Sequence, residues 1–241
     1  MPESGARDAA ALKSTIARAV RMLTAEGLMD MNGHVSVRTS GADRILVNSR
    51  GAGRHTVRAV DIVAVDLGGH PLPGEGDPPL EIPIHTRIFA ARPDVHCVAH
   101  LHPQYATAFT IAGRPLVPVF QLGAVFPIEG LPVYDDPGLI KTDQDGDAVA
   151  RALGSGRAVL LRGHGVVVVG EDVETCFTTS IWLEENAKHL FRSSALGAPR
   201  VFTDQIAQRV RRSLWQPAIL LKTWDHYVAK GRREGVLDGI D

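Results

Sequence analysis

The stretch Val95-His-Cys-Val-Ala-His-Leu-His-Pro103 is an apolar run that ends on two histidines one residue apart. A buried strand over residues 95–101 accounts for the apolar content, and a strand turns residues i and i+2 to one face. His100 and His102 therefore aim at one point, with Leu101 turned into the core. A second apolar run, 157–162, leads into Gly163-His-Gly165. His164 stands there where backbone bulk is least and unusual dihedrals are cheap. Three imidazoles at strand ends suit a divalent ion and leave a coordination position open for substrate.

Outward from these runs the pattern alternates strands and helices. Residues 34–39 and 44–48 are strand-like and are separated by the turn residues 40–43, a hairpin signal that predicts antiparallel pairing early in the sheet. Residues 61–67 form a further strand, followed by a Gly/Pro-rich loop over 68–79. Strands are also expected at 157–162 and 166–169, on either side of the Gly-His-Gly turn. Leu12, Ile16, Val20 and Leu23 make one stripe of a helix over 8–27, with Asp8 as N-cap and Gly27 as stop. Further helices are expected over 81–92, closed by Pro93, and over 105–112, 143–153 and 173–196. A last helical stretch, 205–230, is interrupted near Pro217, and the final residues read as frayed. The segment 115–138 has no clear period and is read as short strands lining a site. The sum is an α/β chain: a three-layer α/β/α domain with a mostly antiparallel central sheet, not a doubly wound parallel one. One domain over 1–241 is expected, its core at about 10–200 and a helical extension at 201–241.

A formal net charge of −1 over 241 residues gives no electrostatic case for nucleic acid or an anionic membrane. No apolar stretch reaches the length of a membrane span, and residues 1–7 carry no signal-peptide core. Cys97 and Cys176 form no disulfide or zinc-finger pattern. Cys97 falls on the strand face opposite His100, so it belongs to the core. A reducing cytoplasm is the expected location.

Glu81 opens a helix 19 residues before His100. A carboxylate there, favoured by the helix dipole, is the natural fourth ligand or a nearby base. Together, Gly33-His-Val-Ser-Val-Arg38, Glu81, His100-Leu-His102 and Gly163-His-Gly165 resemble the class II aldolase/adducin family in order and spacing over roughly residues 10–200. The resemblance implies one divalent ion per chain (Zn, Mn or Fe) on His100, His102 and His164, with Glu81 as ligand, acid/base group or both in turn. It also implies a homo-oligomer, most often a cyclic tetramer, with the active site at a subunit interface.

The chain departs from the sugar-phosphate members of that family. They carry Asn where His34 stands. Their phosphate-binding Thr-x-Ser-Gly is Asn48-Ser-Arg-Gly51 here, and their Ser-Ser pair before the glutamate is Pro79-Leu80. Pro has no N–H and Leu no hydroxyl, so much of a phosphate site is gone. The aldolase tyrosine aligns without gaps on Gln121. Arg50 and Arg54 enter the loop where phosphate would bind, beside Ser49 and His55, and arginine pairs with planar carboxylates through two parallel hydrogen bonds. Gly-His-Val-Ser with a Ser-Arg loop resembles the branch that decarboxylates hydroxylated aromatic dicarboxylates such as dihydroxyphthalate and hydroxypyridine-dicarboxylate.

The reading that follows is a metal-dependent carbon–carbon lyase of aromatic-compound catabolism acting on a small carboxylate. Glu81 and His34 are the catalytic candidates, and Gly33, Ser49, Arg50 and Gln121 the substrate contacts. Three other readings stay open: an aldolase on an unphosphorylated hydroxy-keto acid, a non-haem Fe(II) oxygenase using the same ligands, and a non-catalytic interaction module like the adducin head. Four convergent donors argue against the last.

Overall fold

The computed structural model describes residues 3–39 and 44–240. The hairpin turn expected at 40–43 lies outside the described residues. Its two flanking strands, β1 (His34–Arg38) and β2 (Arg44–Asn48), pair antiparallel as the sequence predicts. They join β3 (Ile62–Asp66), β4 (Cys97–Leu101), β5 (Val133–Tyr134), β6 (Ala158–Leu161) and β7 (Gly165–Gly170) in one sheet of order β3-β2-β1-β4-β7-β6-β5. Every pairing is antiparallel except that of β5 with β6. The sheet is therefore mixed, with antiparallel pairs dominant.

Alternating residues of the strands feed two apolar clusters. Cys97, Ala99, Leu101, Val166 and Val168 pack with Ile16 and Val20 of α1 (Glu3–Ala25), Ala106 and Phe109 of α3 (Gln104–Ile111), and Phe177 and Trp182 of α5 (Val173–Ser194). Val98, Val167 and Val169 pack with Ile84, Ile88 and Phe89 of α2 (Ile82–Ala91) and with Val149 and Leu153 of α4 (Asp143–Leu153). Cys97 and Cys176 are both buried and free, in keeping with a core role. Among the described residues no helix is long and apolar enough to cross a membrane.

Local chemistry sets the element ends. Pro83 lies in the first turn of α2, where its missing N–H costs nothing. Thr142 caps α4 by accepting from the Asp145 amide, with Asp145 reaching back to the Thr142 amide. The buried Glu184 of α5 accepts from the Tyr105 and Ala106 amides, both at 2.9 Å, and so caps α3 from outside. That contact ties the chain just after His102 to α5.

Three expectations need correction. The first helix begins at Glu3, so Asp8 is inside it and is not its cap. The helix continues through residues whose apolar spacing is weak, and that hid its start. The final residues are not frayed: Leu237 and Ile240 are buried, and Arg21 of α1 donates to the carbonyls of Val236 and Asp238. The segment 115–138 contributes only β5 and a short 3-10 turn, Gln121–Val125, to regular structure. The last helical stretch does break at Pro217, between α6 (Asp204–Leu214) and α7 (Pro217–Arg233). Leu220 and Trp224 of α7 are buried, the latter edge-on to Phe177.

Candidate metal centre

The antiparallel register of β1 and β4 sets His34 directly opposite His100. His164, in the turn between β6 and β7, joins them, because Val166 pairs with Leu101. Glu81, at the head of α2, closes the group: its Oε2 lies 3.4 Å from His100 Nε2 and 3.9 Å from His34 Nε2, and its Oε1 lies 3.7 Å from His164 Nε2. The ligand atoms of His100, His102 and His164 all lie within 4.8 Å of one another.

Hydrogen bonds fix the chemistry of two of these nitrogens. His100 Nδ1 lies 3.1 Å from the Val166 carbonyl, which only accepts, so Nδ1 carries the proton and Nε2 is bare. His102 Nδ1 faces the Asp30 carboxylate at 3.2 Å with the same consequence. The two bare Nε2 atoms stand 3.1 Å apart. Lone pairs at that distance repel unless a cation lies between them, and two nitrogens held tetrahedrally at about 2.1 Å from zinc would stand about 3.4 Å apart. Orientation of the imidazole through its other nitrogen, by a carbonyl or a carboxylate, is the usual outer shell of a metal-binding histidine. The donor set therefore fits a divalent ion. His164 Nδ1 is buried with no hydrogen-bond partner among the described residues, so its ring is held by the glycine-flanked turn instead.

The titration behaviour suits that role. Burial, then neighbouring imidazoles, push His34 well below the usual histidine range and His85 down to about 3. Burial is also the leading reason that His102 and His164 are lowered. His34, His85, His102 and His164 thus stay neutral and keep their lone pairs near pH 7. Burial opposes ionisation of Glu81. Contacts with His100, the Ile140 amide at 3.0 Å and His164 outweigh it and draw the carboxyl down to about 2.

A cleft of about 510 Å³ opens over the cluster, within the range of small-molecule sites. Its lining includes Gly33, His34, Arg50, Arg54, Pro79, Leu80, Glu81, His102, Leu139 and His164. Arg50 is exposed and pairs with Asp77 at 2.7 Å. Gly33 serves the frame as well, since its carbonyl accepts from Arg54 Nε at 2.7 Å.

Two expected contacts do not reach the cleft. Ser49 does not line it, and what it contributes is its carbonyl, which accepts from Arg54 at 3.3 Å. Gln121 is exposed on the 3-10 turn packed against α5 and α6, away from the cleft. Counting residues without gaps fails across the irregular 115–138 segment. The Asn48 side chain, where a phosphate-binding threonine would stand, is wholly buried and accepts from the Val35 amide at 2.8 Å.

The sequence assigns no role to His85 or Asp30, and of Arg54 it gives only the loop position beside Arg50. His85 is wholly buried, with Nε2 2.6 Å from His34 Nδ1 and Nδ1 2.5 Å from Ser36 Oγ. Its signal was its place one turn after Glu81, on the same helix face. Asp30 orients His102. Arg54 is buried, and its Nε and Nη1 are held by the carbonyls of Gly33, Ser49 and Ala52. Among the described residues, Arg54 Nη2 makes no hydrogen bond and no carboxylate pairs with the guanidinium.

The chain is similar to known proteins in sequence and in fold. Residues 14–191 match the family model described as Class II Aldolase and Adducin N-terminal domain. A protein of Terrabacter sp. (strain DBF63) named 3,4-dihydroxyphthalate decarboxylase is 34% identical over 200 residues, covering 78% of this chain and 83% of its own. One of the same name from Rhodococcus jostii (strain RHA1) is 33% identical over 228 residues, covering 89% and 93%. Among solved structures, the L-fuculose 1-phosphate aldolase from Glaciozyma antarctica PI12 superposes with a TM-score of 0.81 at 23% identity, covering 95% of this chain and 91% of that one. This last likeness is one of fold.

Proposed function

The chain belongs to the class II aldolase and adducin family, and from that premise we propose that it is a metal-dependent lyase that decarboxylates a hydroxylated aromatic carboxylate. The observation that carries this reading is a single cleft. It combines a cation-fit imidazole cluster and an ionised Glu81 with two arginines and an apolar rim of Pro79, Leu80 and Leu139. The names of the relatives support it, and so does the replacement of phosphate-binding hydroxyls by Pro79 and Leu80.

His100, His102 and His164 would hold the ion, with Glu81 beside them. A bound divalent ion supplies Lewis-acid stabilisation for the negative charge that decarboxylation leaves on the ring. The remaining work falls to the side chains of the cleft. Glu81, as a carboxylate, takes the proton of the ring hydroxyl. The bond to the departing carboxylate breaks, its electron pair stays on the ring carbon, and CO2 leaves. Glu81 returns the proton to that carbon. Arg54, with Arg50 at the rim, holds the carboxylate that stays. Leu80 and Leu139 cover the faces of the ring. Ile111, Phe191 and Leu196 are exposed apolar side chains on α3 and around the end of α5. They support association with further copies of the chain, a tetramer being the expected assembly.

The test is CO2 release and product formation from a panel of dihydroxybenzene and hydroxypyridine dicarboxylates, run beside fuculose and ribulose phosphates with oxygen uptake recorded. Decarboxylation that disappears with bound metal in His102→Ala is the expected result. Turnover of the phosphates alone would restore the aldolase reading, and oxygen consumption with Fe(II) the oxygenase reading.

A further inference from the structure

Ser36, His85 and His34 form a buried string that the metal cluster does not require. Ser36 Oγ meets His85 Nδ1 at 2.5 Å, and His85 Nε2 meets His34 Nδ1 at 2.6 Å. Ser36 and His85 are wholly buried, and His34 is 4% exposed. A charge shared by two adjoining buried rings is costly, so each ring carries one proton. Two orders of protons are then possible. Either Ser36 donates to His85 and His85 to His34, which leaves the His34 proton on Nε2, or every bond runs the other way and His34 Nε2 is bare.

Two observations choose between them. Among the described residues, the hydroxyl of Ser36 has one hydrogen-bond partner, His85 Nδ1. If it accepted from His85, its own O–H would be buried without an acceptor. At the other end, His34 Nε2 faces Glu81 Oε2 at 3.9 Å. An N–H is favoured there, and a lone pair is not. We propose that Ser36 and His85 are positioning residues that lock His34 in the tautomer protonated on Nε2, so that His34 meets the cleft as a hydrogen-bond donor.

The lock has two consequences. His34, Glu81 and His100 also lie close enough together to hold a cation. A protonated Nε2 removes His34 from any ligand set, so of these two groups among the described residues only His100, His102 and His164 can hold a cation. Within the decarboxylase reading, on which this second consequence rests, His34 is not the acid. Its N–H steadies the Glu81 carboxylate and the negative charge that develops beside it, while Glu81 moves the proton. Ser36 ends the string inside the core, so the string fixes orientation and does not conduct protons from solvent.

The experiment is long-range proton–nitrogen NMR on the full chain labelled with 15N-histidine, with and without zinc. The His34 signals are assigned by their loss in His34→Asn. The expected wild-type spectrum has His34 protonated on Nε2. Ser36→Ala should mix the two tautomers, and His85→Gln, whose amide still donates to His34 Nδ1, should keep the Nε2–H form. Activity in Ser36→Ala should fall by the fraction of molecules in the wrong tautomer, about twofold to tenfold, with KM and metal content unchanged. A wild-type His34 protonated on Nδ1 overturns the proposal, and this spectrum decides even where a variant fails to fold. An unmixed Nε2–H form in Ser36→Ala overturns it too, as does a second bound zinc that His34→Asn removes. Failure of every carboxylate in the substrate panel would sink the decarboxylase reading and leave the tautomer measurement standing.

Discussion

Alanine at position 165 should loosen the proposed metal centre while leaving the fold intact. The two glycines around His164 do different work. Gly163 has φ +60°, and a Cβ placed there would meet nothing within 4 Å, so it answers a backbone need. Gly165 answers a need for space: a Cβ there would stand 2.2 Å from the Leu101 carbonyl oxygen and 2.9 Å from His102 Cδ2. Ordinary contact begins at 3.4 Å, so the ends of β4 and β7 must part by about 1 Å. Overpacking of this kind costs about 1–3 kcal/mol, against a total stability of about 5–15 kcal/mol. The protein therefore folds, with Tm lowered by about 2–4 °C for each kcal/mol lost. The displaced ring is His102, whose partner across 3.1 Å, His100, is fixed on β4. Disturbing the orientation of a metal-binding imidazole typically costs 10–100-fold in affinity, and that is the expected loss for zinc, measured by chelator competition. Gly163→Ala is the control. It should lose about 1–2 kcal/mol of stability from its left-handed backbone with a much smaller change in zinc affinity. Wild-type zinc affinity in Gly165→Ala would show that the close approach of β7 to His102 does not set the donor geometry.

Glu81→Gln keeps an oxygen for the Ile140 amide but loses the base, so kcat should fall by about 10²–10⁴ while metal content, read by elemental analysis, stays near one ion per chain. Arg50→Ala should raise KM for a dicarboxylate by only about threefold to tenfold, matching the 0.5–1.5 kcal/mol of an ordinary hydrogen bond, because Arg50 is exposed and already shared with Asp77; steady-state kinetics checks this. In metal-free protein, His85 is held neutral down to about 3, so below about pH 6.5 the unfolded chain binds the proton and the folded chain does not. Stability is full above that pH and should fall by up to about 1.4 kcal/mol per pH unit from this residue as pH drops from 6.5 towards 3. Urea midpoints across that range should show it, with a shallower slope in His85→Gln.

Local pattern carried most of the fold. The i, i+2 spacing of His100 and His102, the apolar runs on either side of Gly163-His-Gly165 and the capped α4 are short-range signals, and each element formed where its residues predict. The features missed are long-range ones. His85 lies in the mostly apolar stretch Ile82-Pro-Ile-His-Thr-Arg-Ile-Phe89, where a histidine passes for core, and only the approach of β1 gives it partners. Residues 236–240 are held by Arg21, more than two hundred positions away. Gln121 was placed by counting through a segment without period, which carries no register to count by. Arg54 was legible as a cation in a suggestive loop. That its guanidinium is held by the carbonyls of Gly33, Ser49 and Ala52 depends on how that loop folds back on Gly33.

The cleft is built from two kinds of structure, and this division bears on how the family varies its chemistry. The groups proposed to bind metal and meet substrate stand on rigid elements: His34 on β1, His100 on β4, Glu81 at the head of α2, all less than a tenth exposed. Their spacing is set by strand register and by packing on both faces of the sheet, so it tolerates little change. The rim comes from loops. Arg50 and Arg54 follow β2, Pro79 and Leu80 close the Gly/Pro-rich segment, and Leu139 precedes α4. Loop residues can be exchanged without moving the frame. Changes at the floor should therefore appear in kcat and metal binding, and changes at the rim in KM and substrate choice. A phosphate-binding rim and a carboxylate-binding rim can then share one floor, because charge stabilisation at the imidazole cluster serves either kind of carbon–carbon bond cleavage.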